Sequence, residues 1–139
     1  MGLKYLFTVE YTDGTTKKQT PQDNSKLEPD TRSEFYDVLH SGKSIKTFTL
    51  REHTLFFPKW LSVDLTTGKL THNLNKKDIF FEGDMKTPPP KKRELIFYRQ
   101  HQHDFNQQTH QEIAHRVTYC IGWQANIDGK NYKQIWGVT

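Results

Sequence analysis

Large apolar side chains recur at every second position in several stretches of this chain. The period is most regular near the end of the sequence, where Val117, Tyr119, Ile121, Trp123, Ala125 and Ile127 alternate with Thr118, Cys120, Gly122, Gln124 and Asn126. A period of two places the large side chains on one face of an extended strand. Asp128-Gly129 follows, and both residues tolerate the positive φ that a tight hairpin turn needs. A second strand is then predicted, with Tyr132, Trp136 and Val138 on one side.

The same reasoning predicts strands elsewhere. Leu3, Tyr5, Phe7, Val9 and Tyr11 make a first strand, Asp13-Gly14 ends it, and residues 15–20 form the polar return of a hairpin. Further strands are expected over residues 45–51 and 55–65. Pro58 has no amide to donate, so it marks an edge or a bulge in the latter. Thr66-Thr67-Gly68-Lys69 is a turn, and short strands follow over residues 70–74 and 78–81. Residues 94–103 form another strand, and the polar, Gln-rich residues 104–114 are expected to be a long hairpin loop.

One helix is predicted, over residues 31–42, after a loop over residues 21–29. Thr31 and Glu34 have capping-box spacing, Phe35, Val38 and Leu39 share a helical face, and Gly42 suits the left-handed position that closes a helix. The expected fold is mainly β: an antiparallel β-sandwich or small open barrel with one short helix. The alternative is an α+β arrangement with a single dominant antiparallel sheet.

A chain of 139 residues is expected to form a single domain, 1–139, with an exposed Pro/Lys-rich loop at 82–93. In that loop Pro88, Pro89 and Pro90 stand among Lys86, Lys91, Lys92 and Arg93. It reads as a solvated connector, with a nucleic-acid arm as the other use of such residues. Only 33% of the residues are hydrophobic but 13% are aromatic, so Phe, Tyr and Trp must supply much of the core volume.

The formal net charge of +4 favours anionic partners without demanding them. Cys120 is the single cysteine, which excludes an internal disulfide and a cysteine-based zinc site and favours a cytoplasmic location. It is expected to be an inert, half-buried residue. Lys4 and Glu10 interrupt the first strand, so no leader peptide is expected, and no apolar run approaches the roughly 20 residues of a membrane span.

Candidate chemistry gathers near the last long loop, where His101, His103, His110 and His115 lie. Histidines at i and i+2 on a strand share a face and can supply two metal ligands. The spacing of these four matches no established metal motif, so neither a metal nor another cofactor is expected. His101 and His103 are also close enough for proton transfer in a phosphodiesterase or nuclease. A third use needs no turnover. Arg99, His101 and His103 continue one strand face, and Arg116 is expected beside them across the hairpin. Arginine offers charge-assisted hydrogen bonds to phosphate, and an aromatic ring offers a base a stacking surface. Trp60, next to Lys59 in an irregular stretch, is the tryptophan expected to be exposed; Trp123 and Trp136 are expected in the core.

Four pieces of the sequence carry a resemblance to small accessory proteins of tailed bacteriophages. They are the opening strand over residues 3–13 with its Asp-Gly turn, Ser33-Glu34-Phe35-Tyr36-Asp37, Val63-Asp64-Leu65-Thr66-Thr67-Gly68, and the closing strands through Gly122-Trp123-Gln124 and Asn131-Tyr132. The resemblance implies a compact protein of the infected cell's cytoplasm that binds and sequesters or blocks a host component, as nucleotide sponges do. Together these features lead to the expectation of a non-catalytic binding protein. Its ligand is an anionic small molecule, a nucleotide second messenger, held by Arg99, His101, His103, Arg116 and Trp60. A His-dependent phosphodiesterase or nuclease, and a protein-binding inhibitor or virion component, are the alternatives. Homo-oligomerisation is compatible with the many sheet edges.

Overall fold

The structure is a computed structural model that describes residues 5–19, 37–83 and 92–139. The fold is mainly β, as the alternation predicts. Among the described residues it has two antiparallel sheets, one of five strands and one of four, and neither closes into a barrel. The chain divides into two compact units, Met1–Leu74 and Asn75–Thr139. The division falls before the proline-rich loop, because residues 79–83 already pair with the last strand of the second unit.

The first unit contains β1 (Tyr5–Tyr11), β2 (Thr16–Lys18), β3 (Ile45–Glu52), β4 (Trp60–Asp64) and β5 (Leu70–His72), ordered β2-β1-β3-β4-β5 in its sheet. Its register explains its core. Val9 stands opposite Phe48 and Phe48 opposite Val63, while Phe7 stands opposite Leu50 and Leu50 opposite Leu61. All of these residues therefore emerge on one face, and all are buried. Phe7 and Phe48 stack with centroids 5.4 Å apart. Beyond β2, Gln19 continues the ladder: its backbone N–H donates to the Phe7 carbonyl, and its side-chain oxygen accepts the Phe7 N–H.

Residues 31–36 of the expected helix, and the expected loop over residues 21–29, lie outside the described residues. Asp37, Val38 and Leu39 are helical, and Gly42 has φ +76°, the closing conformation expected of it. Val38 is buried but Leu39 is 45% exposed, so the apolar face is narrower than its spacing implies. The strand expected over residues 55–65 begins only at Trp60. Phe57 adopts φ +46° and Pro58 donates no amide, so the preceding residues leave the ladder. Leu55, Phe56 and Phe57 are exposed there.

The turn after β4 rests on Asp64. Its carboxylate accepts the N–H groups of Thr66 and Thr67 and the Thr66 hydroxyl proton. Burial pushes the carboxyl up, but the hydrogen bonds from Thr66 and Thr67 outweigh it and hold Asp64 below its ordinary value of 3.8. A folded-state value depressed below the unfolded one adds stability above the unfolded value, and that stability is lost as pH falls through the folded value. Asp64→Ala is therefore expected to cost about 1 kcal/mol at neutral pH, at the low end because water still reaches the carboxylate. Urea denaturation should show the difference between the two proteins shrinking as the pH is taken below the ordinary aspartate range.

The second unit opens with a 3-10 turn, Lys76–Asp78, followed by β6 (Ile79–Gly83), β7 (Glu94–Phe105), β8 (Glu112–Ile127) and β9 (Lys130–Val138). The sheet order is β6-β9-β8-β7. Asp128 and Gly129 take φ +54° and +80°, the left-handed pair expected of this hairpin. Ile121, Trp123, Tyr119 and Val138 are buried on one face, and Arg93 lies over the Trp123 ring at 4.8 Å. Trp136 is only half-buried and packs against Phe81, with ring centroids 5.5 Å apart. Cys120 is buried on the opposite face, where loss of solvent pushes its thiol up. Among the described residues no helix is long and apolar enough to cross a membrane. Pro88, Pro89 and Pro90 lie outside the described residues.

Candidate functional site

The site is built on an unequal hairpin. β8 pairs with β7 along almost its whole length, but with β9 only from Tyr119 to Ile127. The distal half of the β7–β8 hairpin is thus a two-stranded ribbon. The long loop expected over residues 104–114 is shorter than that, because β7 runs on to Phe105 and β8 starts at Glu112. Polar side chains concealed these strand ends: both faces of the ribbon meet water, so no apolar alternation marks them.

The turn itself is tightly bonded. Asn106 accepts the N–H groups of Gln108 and Thr109 through its side chain and that of His110 through its carbonyl. His110 takes φ +58°, so this histidine serves the turn.

Alternation and register then decide which side chains meet. Arg99 stands opposite Tyr119, His101 opposite Val117 and His103 opposite His115, so all of these share one face. Along it, burial gives way to exposure: Tyr119 is buried, Val117 and Arg99 are half-buried, and His115, His103 and His101 are exposed. The imidazoles stack nearly parallel. His103 and His115 have centroids 4.2 Å apart at 11°, and His101 and His115 5.2 Å apart at 22°. Phe105 extends the column beyond His103 at 6.3 Å. His101 Nδ1 and His115 Nε2 share a hydrogen bond of 2.9 Å, and His103 Nδ1 bonds the Glu112 carboxylate at 2.8 Å.

Two of the residues expected at this site are elsewhere. Arg116 pairs with Gln102, one step out of phase with His103, so it projects from the opposite face and donates to the Gln102 side chain at 3.0 Å. Trp60 belongs to the other sheet, where it stands opposite Arg51 and is half-buried. The structure brings together Arg99, His101 and His103 and adds His115 and Glu112, neither of which was expected to hold the ligand. The signal for both was the register: once β8 is extended back to Glu112, His115 must face His103.

No family model, curated protein or solved structure matches the chain.

Proposed function

We propose that the protein binds an anionic ligand of the nucleotide type on the histidine face of the β7–β8 ribbon, and holds it without turnover. The observation that carries this is the shared face of Arg99, His101, His103 and His115. Arg99 offers a planar donor for phosphate, and the column of parallel rings offers a stacking surface for a base. Hydrolysis fits less well. An acid–base pair needs a substrate's width between its members, whereas these imidazoles contact one another. Sequestration of a host nucleotide signal is the role that agrees with the resemblance to phage accessory proteins.

Isothermal titration with cyclic dinucleotides and cyclic mononucleotides tests the reading. A binder should be found, Arg99→Ala should weaken it at least about tenfold, and Arg116→Ala on the other face should change it little. The bound nucleotide should be recovered chemically intact after denaturation. Absence of heat with every member of the panel would end the nucleotide reading.

A further inference from the structure

We propose that His101, His103 and His115 form a site for a divalent transition-metal ion of the zinc type, with one coordination position left open to solvent. This goes beyond the nucleotide reading and stands without it. Each histidine offers one ring nitrogen, and the three nitrogens lie within 4.8 Å of one another. The arrangement follows from backbone geometry: His101 and His103 are two apart on β7, and His115 is the cross-strand partner of His103. Two ligand nitrogens at a tetrahedral angle on one zinc ion lie ~3.3 Å apart. The His101 Nδ1 to His115 Nε2 separation of 2.9 Å is within a few tenths of that edge. An ion replacing their shared proton therefore needs little movement of the strands. Ligation does require each ring plane to turn toward the ion, out of the present stack. All three side chains are exposed to solvent.

The donor set selects the class of metal. Imidazole nitrogen suits zinc, copper and nickel, while calcium and magnesium demand oxygen. Glu112 supplies the outer support such sites use. Its carboxylate holds His103 Nδ1 at 2.8 Å, which leaves Nε2 as the ligand atom. Glu112 is thus a positioning residue. Three protein ligands leave the fourth position for water or an anion. On this ribbon the positive charge matters, because Arg99 and Arg116 are offset by Asp104 and Glu112. A bound dication would add positive charge to the histidine face.

The test is calorimetric titration of Zn²⁺ into the metal-free full chain, with Co²⁺ absorption as a spectroscopic readout. One ion per chain is expected. His115→Ala should weaken binding at least 100-fold, and Glu112→Gln should weaken it about 10- to 100-fold while the circular dichroism stays unchanged. His53→Ala, outside the cluster, should bind zinc as the parent does. No zinc uptake, or unchanged affinity in folded His115→Ala, overturns the proposal. Zinc binding without affinity for any nucleotide would keep the metal site and remove the nucleotide reading; nucleotide binding without zinc uptake would do the reverse.

Discussion

Gly122→Ala is expected to destabilise the second unit by about 3 kcal/mol or more. Gly122 lies in the middle of β8, opposite Ile135 of β9. The place a β-carbon would occupy is already filled by the β9 backbone: it would collide with the Gln134 carbonyl oxygen and come within 2.8 Å of the Ile135 α-carbon. Neither atom can rotate away, so relief requires the two strands to separate along their ladder. Gly137→Ala provides the contrast. There the obstacle is the ring of Phe80, which is 53% exposed and can swing toward water. Its cost should be less than half that of Gly122→Ala. Thermal unfolding, with hydrogen exchange at β8 and β9 amides, measures both. Equal effects would show that backbone crowding at Gly122 is not the controlling contact.

Phe48→Ala is expected to cost about 4 kcal/mol, and its effect should appear in the first unit. Phe48 has no exposed surface, stacks on Phe7, and is flanked across the ladder by Val9 and Val63. Four of the strands of this sheet surround it or its direct partners, so the gap left by the ring cannot close without disturbing the register. A unit spanning Met1–Leu74 holds roughly 4–11 kcal/mol at the usual per-residue stability. Losing about 4 kcal/mol would leave β1, β3 and β4 amides exchanging far faster. Phe48→Leu, which retains most of the apolar volume, should recover more than half of the loss. Equal destabilisation by Phe48→Leu and Phe48→Ala would point to the ring stack with Phe7 rather than to volume.

Legibility in the sequence tracked burial. β1 could be read directly because Tyr5, Phe7, Val9 and Tyr11 are buried while the residues between them are not. The proximal part of β8, through Tyr119, Ile121 and Trp123, was equally plain. The ribbon was harder, since Gln100, Gln102, His101 and His103 all face water and leave no apolar signal. The start of β4, at Trp60, is masked in the sequence for the opposite reason. Leu55, Phe56 and Phe57 look like strand residues, yet Phe57 has a positive φ and all three are exposed.

The amino-acid order by itself determined the mainly β class, both Asp-Gly turns and the shared face of Arg99, His101 and His103, because each follows from local geometry within a few residues. Tertiary structure alone decided the company those three keep. Whether His115 or Arg116 faces His103 depends on a register one residue either way, and a slip of one residue exchanges the two faces of a strand. That choice is made at the other end of the same hairpin, where half-buried Leu95 and Phe97 pair with buried Trp123 and Ile121, far along the strands from the imidazoles they align.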